Sequence, residues 1–171
     1  SPGKPISPYA ATKKAGEDLC HVYHHLHNIP VTCLRFFTVN GPRQRPDLAI
    51  HKFTKAILEG KDIEVYGDGT TSRDYTYVAD IVQGILLALK KPFPFEIINL
   101  GNSKPTELNT LISTIEEVIG KKAKKKILTQ QQGDVPATFA DISKAKKLLG
   151  WKLTTNLNEG IKNFVEWLKS S

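Results

Sequence analysis

A chain of 171 residues with 40% hydrophobic and 24% charged residues has the composition of a globular domain, not of a disordered segment. No stretch approaches the roughly 18 apolar residues needed to cross a bilayer. Cys20 and Cys33 are too few and too isolated for a disulfide framework or a zinc site, which fits a reducing cytoplasm. The net charge of +7 invites a nucleic-acid reading, but part of the excess lies in one run, Lys121 to Lys126 ("KKAKKK"), directly after Gly120. Cations suit the end of a helix, so the run reads as a solvated turn, with no nucleic-acid partner. The start "SPGKPISPYA" is Pro-rich and polar, unlike a secretory leader. A cytoplasmic protein with no membrane contact is expected.

In chain order, Ser7 is a candidate N-cap with Pro8 at the first helical position. Ala11, Ala15, Leu19, Val22 and Leu26 recur at helical spacing until "NIP" stops the run. "VTCLRFF" (31–37) reads as a buried strand, the loop "TVNGPRQRPD" follows, and a helix carrying Ile50, Phe53 and Ile57 ends at Gly60. "IEVYGDGTTSRDYTYV" reads as two short strands around a Gly-rich turn, followed by a helix over about 79–89 and the strand "FEIINLG". Helices near 106–119, 141–149 and 157–168 complete the chain, with "KKILTQ" a candidate strand. The alternation predicts an α/β layered fold. Only "VTCLRFF" and "FEIINLG" look like strands of a main parallel sheet, and two strands leave edges and faces uncovered.

The blocks "YAATKKAGE", "LRFFTVNGPRQRPDLAI", "VYGDGTTSRDYTYVADIVQGI", "NLGN", "QGDVPATFADISKAKKLLGW" and "EGIKNFVEWLK" stand in order along the chain. Together they resemble the C-terminal half of extended short-chain dehydrogenases, most closely NAD-dependent nucleotide-sugar epimerases of the UDP-glucose or UDP-glucuronate 4-epimerase type. The resemblance implies the C-terminal part of a Rossmann-like doubly wound fold plus a small α/β substrate-binding domain. Residues 1–40 and about 74–103 would be the Rossmann-like remnant; about 41–73 and 104–171 would be mainly the substrate-binding region. The family's dinucleotide-binding half, with its Gly-rich turn, would precede residue 1. The nearest internal candidate for that turn, Gly67 and Gly69 in "YGDGTT", has Ser72 where a third glycine would fall. The chain therefore reads as a fragment of a longer enzyme, not expected to hold NAD tightly or to turn over alone.

The resemblance also implies roles. Epimerisation at C4 passes through a transient 4-keto sugar and needs a base for the hydroxyl proton, while NAD takes and returns hydride to the opposite face. Tyr9 would be the base; Lys13, four residues on, would favour the phenolate and bond the nicotinamide ribose. Phe37 would stand beside the nicotinamide and Thr38 would reach the substrate, while Phe36 is expected to serve core packing. Arg73 would grip the diphosphate through its guanidinium fork, the alternative being an exposed salt bridge to Asp74. Leu48 would hold uridine through its backbone and Tyr66 through its ring. Asp134 would hold the ribose, and Gln131 stands where some relatives place a second phosphate-binding arginine, with Arg43 or Arg45 to compensate. Asn40 replaces a tyrosine common in relatives. His21 and His25 share a helical face, but no further ligand completes a metal set, and a solvated or subunit-facing helix is the expected reading. Relatives pair the Tyr–Lys helix across a dimer, so a homodimer is implied. Two alternatives stay open: a 4,6-dehydratase or decarboxylase of the same superfamily, and a non-catalytic UDP-binding fragment.

Overall fold

The computed structural model describes residues 4–129 and 136–170. Helix α1 (Pro8–His27) leads into β1 (Val31–Phe36) and a short β2 (Thr38–Asn40). Then come α2 (Ala49–Glu59), β3 (Asp62–Tyr66), β4 (Ser72–Tyr77), α3 (Val78–Lys90) and β5 (Phe95–Leu100). β6 (Pro105–Glu107), α4 (Leu108–Ile119), β7 (Lys124–Leu128), a π-helical turn (Ala145–Leu149) and α5 (Leu157–Ser170) complete the order.

The strands form three small sheets. β1 and β5 are parallel, with Val31 opposite Phe95 and Phe36 opposite Leu100. β4 is the centre of the second sheet, parallel to β2 and antiparallel to β6. β3 and β7 are parallel partners. The two strands around the "YGDGTT" turn thus exist but join different sheets.

Two apolar clusters hold the layers. Ile50, Phe53 and Ile57 repeat at i, i+3 and i+7, and meet Leu111, Ile115, Ile161 and Phe164 over Ile63 and Val65. The second cluster sets Ile98 and Leu100 of β5 against Ile81, Ile142, Leu149 and Trp151. Each such side chain removed from water contributes about 1.5–3 kcal/mol before conformational entropy is charged. Gly60 closes α2 in the left-handed region at φ 70°, where a Cβ would be strained. Asp80 accepts from the Thr154 and Thr155 N–H groups and the Thr154 hydroxyl, while its own carbonyl takes the Trp151 indole N–H at 2.8 Å. One buried carboxylate thereby fastens residues 151–155 to α3.

Several sequence expectations are corrected. The expected loop "TVNGPRQRPD" opens with β2, whose register runs against Thr76 and its neighbours. The helix expected near 106–119 is α4; what the sequence does not show is that Pro105–Glu107, just before it, pairs with β4. The stretch near 141–149 is helical from Ser143 onward, and takes π geometry over Ala145–Leu149 before Gly150 closes it. "KKAKKK" is not simply a solvated turn: Lys124, Lys125 and Lys126 are three of the five residues of β7, giving β3 its partner, and Lys122 bonds Glu116 at 2.7 Å. Cys20 and Cys33, isolated in sequence, are neighbours in space with free thiols.

Candidate active site

The direction of α1 is fixed by its seam with β1. Arg35 makes paired bonds to Glu17 at 2.5 and 2.6 Å, and Cys20 lies beside Cys33. Moving forward along the helix therefore moves backward along the strand. Farther on, His21 meets the Phe95 ring edge-on at 4.9 Å and His24 stacks on it at 5.9 Å, so these two pack onto β5. The N-terminus of α1 consequently lies at the carboxyl end of β1, where ligands of open α/β sheets gather.

Tyr9 sits two turns before Glu17, about 12 Å farther along the axis. Ser7 caps the helix, accepting from the Ala10 N–H at 3.1 Å, and Pro8 follows it. Tyr9 is 72% exposed, and Lys13 holds its ammonium 5.3 Å from the centre of the Tyr9 ring. Phenol and ammonium share one face, as their spacing predicts.

The Glu17–Arg35 pair carries a pH dependence. The Arg35 bonds hold the Glu17 carboxyl below its ordinary range, outweighing the upward push of burial. A depressed folded-state value means that the stabilisation is complete above the unfolded carboxyl pKa of about 4.3. It is lost as pH falls through the lower, folded value. Amide protection across residues 8–27, relative to the intrinsic exchange rate at each pH, should decrease below about pH 4.3, and Glu17→Gln should show the lower protection already at neutral pH.

At the end of β1 one expectation is corrected: Phe36 does not serve core packing. Phe36 is 48% exposed, whereas Phe37 packs against the second cluster. The Phe37 N–H bonds the Leu100 carbonyl at 3.3 Å, which turns its ring over Gly101. A Cβ on Gly101 would lie 3.1 Å from that ring and collide with Ala140. Thr38 follows, opposite Tyr75 of β4.

A groove of about 800 Å³ runs between α2 and the strands β3 and β4. Tyr66 and Arg73 both line it, together with Asp47, Lys52, Tyr75 and Lys126. Tyr66 donates to Glu64 at 3.3 Å, and Arg73 donates to the Ser72 carbonyl at 2.8 Å. Asp74 points to the opposite face of the strand, as alternation requires, and does not pair with Arg73. It is fully buried and accepts the N–H groups of Asn102, Ser103 and Ala140. Burial pushes the Tyr75 phenol up to about 12 despite the nearby Arg73, so Tyr75 lines the groove as a neutral phenol.

Leu48 is the N-cap of α2 rather than a groove wall; its N–H bonds the Arg45 carbonyl and its carbonyl takes the Lys52 N–H. Its neighbours Asp47 and Ala49 line the groove. Arg45 pairs with Asp47 at 3.0 Å. Asn40 is buried, its Oδ1 without a partner among the described residues and close to where a Cβ on Gly160 would stand. Gln131 and Asp134 lie outside the described residues. Lys52 and Tyr75 are not singled out from sequence, and Lys126 only as the end of the "KKAKKK" run. Lys52 neighbours the core residue Phe53 and could have been read from the helical period; Lys126 reaches the groove only through the β3–β7 pairing.

The family described as GDP-mannose 4,6 dehydratase matches residues 1–164. The chain is 49% identical over 168 residues to a UDP-glucuronate 4-epimerase of Thermodesulfobacterium geofontis, covering 98% of this chain and 52% of that protein. An uncharacterised protein of Methanocaldococcus jannaschii is 56% identical over 164 residues, covering 96% of this chain and 50% of its own. Among solved structures, the UDP-glucuronic acid 4-epimerase of Bacillus cereus, in complex with UDP-glucuronic acid and NAD, superposes with a TM-score of 0.92. It is 43% identical, over 97% of this chain and 54% of that one. The fold is thus the C-terminal part of the Rossmann-like epimerase architecture. The chain spans about half the length of the curated relatives it matches.

Proposed function

From a chain that belongs to the GDP-mannose 4,6 dehydratase family, we propose the catalytic and substrate-binding half of an NAD-dependent UDP-sugar 4-epimerase, acting on UDP-glucose or UDP-glucuronate. The observation that carries this reading is the placement of Tyr9 and Lys13, ring and ammonium 5.3 Å apart, at the carboxyl end of β1. Arg73 and Tyr66 meeting in a separate groove supports it, because a nucleotide handle needs its own grip.

The residues fit one end of the cofactor. An ammonium beside a phenol suits the nicotinamide ribose, and in this reading Phe37, which follows β1, stands beside the nicotinamide. The Gly67–Gly69 turn does not suit a diphosphate, since Asn109 fills the space over Gly69 and donates its N–H to the Gly69 carbonyl. When bound, NAD supplies reversible hydride acceptance. Tyr9 takes the C4 hydroxyl proton and later returns it, while the Lys13 ammonium stabilises the phenolate. Arg73 clamps the diphosphate and Tyr66 covers the uracil. Thr38, Leu48, Gln131 and Asp134 complete the substrate contacts in this reading. It also takes residues 1–40 and about 74–103 as the dinucleotide-side remnant, and the rest as mainly the substrate side.

We further propose a cytoplasmic homodimer formed through α1, supported by Leu19 and Leu26, which are 60% and 67% exposed on that helix. UDP binding to the 171-residue chain tests the nucleotide grip directly. Arg73→Ala should weaken it about 10–100-fold, the worth of one charge-assisted bond of roughly 1.5–3 kcal/mol. Equal affinity in both proteins would overturn the assignment. Joined to a dinucleotide-binding half, the protein should convert UDP-glucose or UDP-glucuronate into its C4 epimer. A dehydrated or decarboxylated product would favour the alternative chemistries.

A further inference from the structure

The seam between α1 and β1 holds two thiols that the proposed chemistry does not use. Glu17 meets Arg35 across it. Cys20 lies three residues after Glu17 on the helix, and Cys33 two before Arg35 on the strand. Three helical residues advance about 4.5 Å and two strand residues about 6.6 Å, so the same seam brings Cys20 opposite Cys33. His21 and His24 against Phe95 continue the contact beyond them. The thiols thus stand as a second rung below the ion pair. Both are half-buried and free, within reach of peroxide yet held against diffusion apart.

We propose that Cys20 and Cys33 are an oxidation site, a dithiol that hydrogen peroxide closes into an intramolecular disulfide fastening α1 to β1. The Cys33 thiol is pushed up to about 11, first by burial and then by the Cys20 thiol, so Cys20 supplies the attacking thiolate. Its sulfur bonds a peroxide oxygen, the O–O bond breaks, and the departing hydroxide leaves as water after taking a proton. The Cys33 sulfur then attacks the Cys20 sulfenic acid, its S–H proton leaves with the sulfenic oxygen as a second water, and the S–S bond forms. Two thiols lose two electrons and one peroxide gains them.

The site is independent of the epimerase reading, and its test needs no activity. The 171-residue chain is treated with hydrogen peroxide, alkylated and cut after Lys and Arg. Both cysteines then fall in the single peptide 15–35. The expected result is that this peptide is lighter by two hydrogens and unalkylated. A further cut after Tyr23 should leave its halves joined until reduction. In Cys33→Ser, Cys20 should stop at a sulfenic acid that dimedone captures. Two alkylated cysteines, oxygen added to one cysteine of the natural chain without a bridge, or disulfides only between molecules would each overturn the proposal. So would Cys20 that dimedone fails to label in Cys33→Ser.

Discussion

Tyr9→Phe, carried in a protein that supplies the dinucleotide-binding half, is expected to lower epimerase turnover about 10²–10⁴-fold, the range of a lost general acid–base group. The substitution removes one oxygen from a side chain that is 72% exposed, so stability should not move. KM should change little, because the proposed nucleotide grip, Arg73 and Tyr66 in the groove, lies elsewhere. Lys13→Ala should also lower turnover, since it removes the ammonium 5.3 Å from that ring. Lys14→Ala should be near neutral: Lys14 is turned about 100° away on the helix and pairs with Asp18 at 2.9 Å. Steady-state rates of the three variants on UDP-glucuronate and UDP-glucose decide the matter. Normal turnover by Tyr9→Phe would sink the assignment.

The second large effect concerns the fold. Asp74→Ala should destabilise the protein by about 3–5 kcal/mol, because truncating the acceptor strands several buried donors at once. Those donors are the N–H groups of Asn102, Ser103 and Ala140, from two segments far apart in sequence. Asp74→Asn keeps one oxygen and should fall between the two. Thermal unfolding followed by circular dichroism measures both, with the midpoint dropping by about 2–4 °C per kcal/mol for a chain of this size. The same carboxylate holds Ala140 against Gly101 beneath Phe37, so the alanine variant should also disturb the end of β5. An unchanged midpoint would show that solvent or neighbours replace the lost acceptor.

Much of the architecture was legible locally. Ser7–Pro8 marks the start of α1, Asn28 in the left-handed region ends it, and Gly60 closes α2, each by chemistry confined to a few residues. What escaped depends on partners distant in the chain. β2 and β6 are three residues each and exist because β4 lies between them, which no window around Thr38 or Pro105 reveals. "KKAKKK" looks like a turn by composition, yet β3 recruits three of its lysines through a register that only tertiary contact sets. Asp74 beside Arg73 suggests an ion pair to a linear reading; the pleat sends the two side chains to opposite faces. Phe36 escapes for a similar reason: an apolar run read as a buried strand does not tell which of two adjacent rings the pleat turns outward. The Tyr9–Lys13 pairing and the groove membership of Tyr66 and Arg73 were readable, since helical spacing and ordered motifs survive without long-range information.

Helix α1 is the least anchored of the long elements: it buries none of its residues and belongs to neither apolar cluster. Sub-global opening of such a unit costs far less than melting the whole molecule. On gentle heating, the segment bearing the phenol should therefore detach, and be nicked by added protease, while Trp151 is still shielded from water. Loss of the α1 seam would precede denaturation, so a thermal assay that follows tryptophan would overstate how long the phenol stays at the end of β1.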